Sequence, residues 1–156
     1  MSGTLITQQD QFTAAILQVF RTNGQMIAWG DKFSAPFGLT SARWQMLGAL
    51  ALSSSPLTAP QVAIHMGVTR QGAQKQLNLL LDEGLVKKQP NPYHKRSPFY
   101  QLTAAGQALY QRVANDWSDH AEQISQAFSA DELATTIKVL TRISEIHAPE
   151  DQGGES

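Results

Sequence analysis

The feature that most constrains this sequence is a change of hydrophobic period midway along the chain. Upstream of it, apolar residues recur at the three- and four-residue steps of amphipathic helices. Leu85–Gln89 and Phe99–Leu102 instead have the composition of short β-strands, and they flank a nine-residue stretch rich in proline and basic residues. These two strands are predicted to form a β-hairpin, which Pro90, Pro92 and Pro98 confine to the edge of a sheet. The chain is therefore predicted to be mainly α-helical with one small hairpin.

Two helices joined by a tight turn are predicted immediately before the hairpin. Thr58 is suited to cap the first helix, and Gly67 to end it in a left-handed conformation. Thr69 is suited to cap the second helix, which Gly84 ends. The apolar positions of this second helix share one face: Ala73, Leu77, Leu80 and Leu81. The second helix can therefore pack through one face and present its polar face to a partner.

Long amphipathic helices are predicted on both sides of this region. One spans residues 5–33, and another follows Thr40 as its N-cap. A helix of about 25 residues follows Thr103, and a last helix follows Ser129 and carries His147. The apolar stripe of the helix after Thr103 is Leu109, Val113, Trp117, His120, Ile124 and Phe128. The first helix is too long to bury its stripe against so small a lobe, which favours a two-fold homodimer.

Charge is segregated along the chain, although the formal net charge is only −1. Residues 68–101 hold six basic and two acidic side chains, and the remainder holds six basic and eleven acidic ones. Such segregation usually marks a partner surface, although a run of charges can also be a merely solvated face. The position of the bases on the second helix and the hairpin favours the first interpretation.

The second helix and the hairpin have the properties needed to bind DNA. A major groove about 12 Å wide admits one α-helix, which a preceding helix must support at a set angle. Arginine donates twice to guanine, glutamine pairs with adenine, and lysine and threonine suit phosphates or bases. A basic hairpin tip can then reach a flanking minor groove or the DNA backbone. The residues predicted to contact DNA are Thr69, Arg70, Gln71, Gln74, Lys75, His94, Lys95 and Arg96.

Four segments together resemble the MarR family of winged-helix transcription regulators. They are LTSARWQMLGAL (39–50), PLTAPQVAIHMGVTRQGAQKQLNLLLDEGLVKK (56–88), NPYHKRS (91–97) and QLTAAG (101–106). The resemblance implies a winged helix–turn–helix, whose hairpin is the wing, flanked by N- and C-terminal dimerisation helices. It also implies a homodimer bound to double-stranded DNA at a pseudo-palindromic operator. The implied regulator is a repressor released by a small lipophilic or phenolic ligand.

The resemblance divides the chain into four parts. Residues 1–36 form the N-terminal dimerisation helix, and residues 37–103 form the DNA-binding lobe. Residues 104–148 are expected to form the C-terminal dimerisation helices, and the polar composition of residues 149–156 predicts a flexible tail. The sequence departs from the family at His94, where the wing usually carries an aspartate that orients the arginine, here Arg96.

A ligand pocket in the resembled family lies between the dimer helices and the DNA-binding lobe. Aromatic residues and methionine suit a lipophilic or phenolic ligand. The predicted ligand-binding residues are Met26, Trp29, Phe33 and Trp44, with Ile27, Phe37 and Met46 as further candidates. The alternative is that these positions simply pack the core and the dimer interface.

Several classes of function are not supported by the sequence. Cysteine is absent, which excludes disulfides, thiol redox sensing and cysteine metal sites. No metal site, cofactor or catalytic motif is predicted, and His120 is interpreted as an interface residue rather than a metal ligand. No run long enough to span a membrane and no signal-peptide pattern is recognised, so a cytoplasmic protein is expected. The lack of a catalytic motif predicts that it is not an enzyme. A winged-helix protein-interaction module without DNA binding is the alternative function.

Overall fold

The computed structural model describes residues 6–148 of the chain. The helices are α1 (Gln8–Ser34), α2 (Ser41–Leu52), α3 (Ala59–Met66), α4 (Arg70–Asp82), α5 (Ala104–Ser125) and α6 (Ala130–Ile146), and the strands are β1 (Leu57–Thr58), β2 (Val86–Gln89) and β3 (Phe99–Leu102). A 3-10 turn at Ala35–Phe37 separates α1 from α2. The chain divides into two compact units, with the boundary after Ala114, within α5. The predicted fold class, mainly α with a small hairpin, is confirmed.

The predicted N-caps are confirmed at the helices of the central lobe. The hydroxyls of Thr40, Thr58 and Thr69 each accept a hydrogen bond from the backbone N–H three residues later. Each cap satisfies an N–H that has no partner within its own helix. Thr103 does the same for α5, since its Oγ1 accepts from the N–H of Gly106 at 3.1 Å.

The first helix begins later than the sequence suggested. The prediction started at Leu5, which lies outside the described residues, whereas α1 begins at Gln8 after an N-cap at Thr7. Thr7 and Asp10 form a capping box, in which each side chain bonds the backbone of the other residue. Hydrogen bonds from the hydroxyl and the N–H of Thr7 hold the pKa of Asp10 below its usual value.

The fifth helix is shorter than predicted and does not include Phe128. It ends at Ser125, and the next residues form a tight turn in which the N–H of Phe128 bonds the carbonyl of Ser125 at 3.1 Å. Ser129 then starts α6 through a capping box with Glu132. A periodic apolar pattern continues through this break, which is why the sequence wrongly predicts that Phe128 belongs to the fifth helix. His147 also lies outside a helix, since it follows the end of α6.

The predicted hairpin is confirmed, but its sheet has a third strand. The strand order is β1-β3-β2, and both pairs are antiparallel. Leu57 lies opposite Tyr100, so the two-residue β1 makes β3 the central strand rather than an edge strand. The three prolines lie in the loop between β2 and β3, where they remove no hydrogen bond from the sheet.

The core of the first unit lies between the sheet and the helices of the central lobe. The predicted apolar face of α4 is confirmed, since Ala73, Leu77 and Leu80 are fully buried. The other fully buried large side chains are Leu47, Val62, Tyr100 and Val113. With this face packed inward, α4 turns its polar side to solvent.

The α1–α2 corner is held by polar contacts at close range. The Asp31 carboxylate accepts the N–H of Ser41 at 2.7 Å, so α1 supplies a cap to the first turn of α2. A Cβ on Gly30 would lie 2.7 Å from the Ser41 hydroxyl oxygen, so the two helices cross where only glycine fits. The buried Ser34 hydroxyl contacts the carbonyl of Gly30 at 2.6 Å. We call these contacts the elbow.

Candidate nucleic-acid interface

The exposed side of α4 presents four of the five helix residues that the sequence selected. Thr69, Arg70, Gln71 and Lys75 are all exposed, and they lie within the first two turns. The N-terminal end of a helix also carries a partial positive charge from its unpaired N–H groups. Basic side chains and helix end together form a surface suited to phosphate oxygens and base edges.

The glycine inside α4 is explained by the cap. The N–H of Gly72 donates to the Thr69 hydroxyl at 3.0 Å, and a Cβ on Gly72 would lie 3.0 Å from that same oxygen. A side chain here would crowd the cap, so glycine keeps the start of the helix regular at a cost of about 1 kcal/mol in helix propensity.

Gln74 occupies a different environment from its four neighbours. It is half-buried, and its Nε2 donates to the Asn78 Oδ1 and to the Tyr100 hydroxyl, each at 2.9 Å. Its amide nitrogen is therefore held by the lobe, between α4 and the central strand of the sheet.

The wing tip is shaped by a buried asparagine. Asn91 is only 6% exposed; its Nδ2 donates to the carbonyl of Ser97 at 2.9 Å, and its Oδ1 accepts the N–H of Tyr93 at 3.0 Å. The N–H of Ser97 donates to the carbonyl of His94 at 3.0 Å, which closes the turn. The three predicted tip residues are all exposed on this turn: His94, Lys95 and Arg96.

The basic side chains on this surface have no acidic partner in the described part of the chain. Across residues 6–148, no ion pair involves Arg70, Lys75, Lys95 or Arg96. Glu83, an acidic residue at the end of α4, instead pairs with Arg43 of α2. We call the exposed side of α4 with the wing tip the basic face. Its charges are available to an anionic partner.

Three features of this site were not predicted from the sequence. Asn91 shapes the wing, Tyr100 joins the wing strand to α4, and Arg43 pairs with Glu83. An asparagine between two prolines is a turn signal that could have indicated the first. The other two join residues that are 26 and 40 positions apart, and no local pattern reports such contacts.

The structure brings three of the four predicted ligand residues together. Trp29 and Phe33 stack with ring centroids 4.9 Å apart, and Trp44 lies 4.9 Å from Phe33. We call these three residues the aromatic cluster; all three are half-buried. Met26 is 47% exposed one turn earlier on α1, outside these ring contacts. Among the further candidates, Met46 lies in the core at 2% exposure, and Phe37 has its ring 6.3 Å from that of Phe33.

Metal ions and membrane spans each have structural requirements that bear on residues 6–148. Residues 6–148 contain no group of three histidine, aspartate or glutamate side chains that could hold a metal ion. His120 is half-buried with its ring 5.8 Å from that of Trp117. Among the same residues, no helix is both long and apolar enough to cross a bilayer.

Comparison with known proteins agrees with this arrangement. A model of the MarR family matches residues 37–97. The uncharacterized protein Rv2011c of Mycobacterium tuberculosis is 38% identical over 104 residues, which cover 67% of this chain and 71% of that protein. The crystal structure of the MarR family transcription regulator SP03579 matches with a TM-score of 0.73 at 26% identity, covering 90% of this chain and 93% of that one.

Two more distant structures share the fold and carry bound partners. One is a mutant of MarR from Escherichia coli in complex with operator DNA, with a TM-score of 0.71 at 20% identity, covering 88% of this chain and 98% of that one. The other is CouR from Rhodococcus jostii RHA1 bound to p-coumaroyl-CoA, with a TM-score of 0.72 at 17% identity, covering 81% and 89%.

Proposed function

The chain belongs to the MarR family of transcription regulators, and on this premise we propose that it is a homodimeric, sequence-specific DNA-binding repressor. The observation that carries the proposal is the basic face, whose four bases have no acidic partner in residues 6–148. A protein of this kind acts by binding rather than by catalysis, and it works where the chromosomal DNA is, in the cytoplasm. A structure of the same fold, the Escherichia coli MarR mutant, is a complex with operator DNA.

The two parts of the basic face have different roles in this proposal. The first turns of α4 enter the major groove, where Arg70 can donate to both acceptors of a guanine and Gln71 can read a second base. Thr69 and Lys75 contact phosphates and fix the depth of the helix. Lys95 and Arg96 on the wing contact the flanking minor groove or backbone, as His94 also can.

Binding to DNA is expected to weaken steeply as salt is added. With the DNA immediately upstream of the coding sequence, the plot of log K against log salt should have a negative slope of about 0.9 per neutralised phosphate. Lys95→Ala should make the slope shallower by about 2 for a dimer, because each subunit loses one contact. Lys138→Ala on α6 removes the same charge outside the basic face and should leave the slope unchanged, provided that sedimentation shows this variant to be a dimer like the parent. A parent protein whose affinity does not fall with salt would contradict the proposal.

Dimerisation is supported by apolar side chains that the single chain leaves uncovered. On α1, Phe12 is 49% and Phe20 is 70% exposed; on α6, Ile137 is 65% and Ile146 is 64% exposed. Contiguous exposed apolar side chains of this kind mark interaction surfaces on soluble proteins. We assign residues 1–36 and 104–148 to the dimer interface and residues 37–103 to the DNA-binding lobe. A two-fold dimer matches an operator whose half-sites are about 10 bp apart.

We further propose that a small lipophilic or phenolic ligand releases the repressor from DNA. The aromatic cluster supports this, because half-buried stacked rings beside the DNA-binding lobe offer an apolar surface to a planar ligand. CouR, which shares the fold, is described in complex with p-coumaroyl-CoA, a phenolic thioester.

A phenolic ligand is expected to lower the affinity for DNA and to change tryptophan fluorescence together. Addition of p-coumarate or its CoA thioester should do both over one concentration range, because the cluster holds Trp29 and Trp44. Trp117→Phe removes the third tryptophan and should keep the fluorescence change. Loss of the fluorescence change in that variant would place the ligand near Trp117 instead. Release of DNA without any fluorescence change would contradict the assignment of the ligand to the aromatic cluster.

No observation favours the alternative of a protein-interaction module, since its surface would not need four exposed bases.

A further inference from the structure

We propose that Gln74 and Tyr100 form a positioning pair that joins α4 to the wing strand β3 and leaves Gln74 only a hydrogen-bond acceptor to offer DNA. The proposal rests on the proposed DNA-binding function and goes beyond it by naming how the protein restricts its own base preference. It also replaces the expectation that Gln74 pairs with adenine through its whole amide.

The hydrogen-bond inventory of Gln74 carries the first step. A glutamine amide has two N–H donors on Nε2 and one carbonyl acceptor, Oε1. Both donors are used inside the protein, one by the Asn78 Oδ1 and one by the Tyr100 hydroxyl, each at 2.9 Å. Only Oε1 is left for a partner outside the lobe.

The fixed position of Tyr100 carries the second step. Tyr100 is 1% exposed and lies on β3, where it pairs with Leu57 of β1 on one side and with Lys88 of β2 on the other. The Lys88 ammonium also lies 6.0 Å from the centre of the Tyr100 ring. The hydroxyl therefore cannot move without moving the sheet that carries the wing, and its bond to Gln74 joins α4 to that sheet.

Two consequences follow for the reading of DNA. Adenine is recognised through both N6 and N7, which requires one donor and one acceptor from the amide. With Oε1 alone, Gln74 can accept only from a base amino group, and both adenine N6 and cytosine N4 offer one in the major groove. We therefore expect the base that faces Gln74 to be adenine or cytosine without distinction. We also expect the fixed angle between α4 and the wing to contribute to affinity.

The test is selection of bound sequences from a randomised operator by the parent and by Tyr100→Phe. This change keeps the buried ring and removes the oxygen that accepts from Gln74. One freed donor should allow adenine to be read by two bonds, so adenine should be enriched over cytosine at one position by about fivefold or more. The affinity for the parent operator should fall by about two- to tenfold as the link to the wing is lost. Tyr110→Phe is the matched control, since no hydrogen bond of its hydroxyl is present among residues 6–148, and it should select as the parent does.

Gln74→Leu tests the same Gln74–Tyr100 pair by changing the residue on α4, in case Tyr100→Phe does not fold. It removes the acceptor as well, so the preference for an amino base should disappear at that one position. Selection by Tyr100→Phe that is identical to the parent's, or a parent that strictly requires adenine there, would overturn the pair while leaving the proposed function intact. A parent that selects no sequence at all would overturn both.

Discussion

Ile137→Asp is expected to leave the protein monomeric and unable to hold its operator at concentrations where the parent binds. Ile137 is 65% exposed in the single chain, so the charge should not disturb the fold of its own subunit. In the proposed dimer the substitution loses about 2 kcal/mol of apolar burial and places an unpaired carboxylate at a cost of several kcal/mol more. Two-fold symmetry applies the loss twice, so the dimer dissociation constant should rise by about 10⁴-fold or more.

The oligomeric state of this variant can be measured by light scattering or sedimentation, with circular dichroism to confirm folded helices. Ile64→Asp is the matched control, because Ile64 is 68% exposed on α3 in the DNA-binding lobe. It should leave the mass of the dimer unchanged. If both variants remain dimeric, or if the parent itself is monomeric, the assignment of α6 to the interface is wrong.

Gly106→Ala is expected to lower the free energy of unfolding by about 3 kcal/mol, from steric overlap in a packed site. A Cβ at this position would lie 2.9 Å from the carbonyl carbon of Leu85 and closer still to its oxygen. That oxygen also accepts the N–H of Thr103 at 3.0 Å, so it cannot retreat without breaking the junction between the wing and α5. The melting temperature should fall by about 6–12 °C for a chain of this size.

Gly24→Ala provides the comparison for this substitution. Gly24 lies in the middle of α1, and a Cβ there meets no atom of residues 6–148 within 4 Å. Alanine at this position should raise the stability by about 0.5–1 kcal/mol, because it loses less backbone entropy in a helix than glycine does. Similar melting temperatures for the two variants would show that Leu85 yields to the added methyl group.

The sequence predicted the helix starts well because each start is a local event. Thr40, Thr58 and Thr69 bond the backbone three residues ahead, so residue type and spacing contain all the information that the cap requires. The true start of α1 is equally local, because the Thr7–Asp10 capping box can be read from the sequence. The prediction was wrong there because it followed the apolar pattern, which continues upstream of Thr7. At Phe128 the apolar period likewise continued across a break that a single turn and a serine cap produce.

The candidate site was predicted in part, for a related reason. Exposure of Arg70 and Arg96 follows from the position of each on a polar face or a loop tip, which the pattern shows. The hydrogen bonds of Gln74 could not be predicted, because its partner Tyr100 is brought close only when β3 packs against α4. The third strand was missed because two residues, Leu57 and Thr58, are too few to show an alternation.

The elbow fixes α1 and α2 at a set angle to each other. The Asp31 contact to Ser41 and the close crossing at Gly30 hold the two helices together at this point, so we expect α1 and α2 to move as one unit. Trp29 and Phe33 lie on α1, and Trp44 lies on α2, so the aromatic cluster spans this angle. A molecule inserted between these side chains would have to separate α1 from α2 at the elbow. Binding at the rings is therefore expected to change the angle between the two helices. Gly30→Ala, which places a methyl group against Ser41, is expected to change the same angle with no molecule bound.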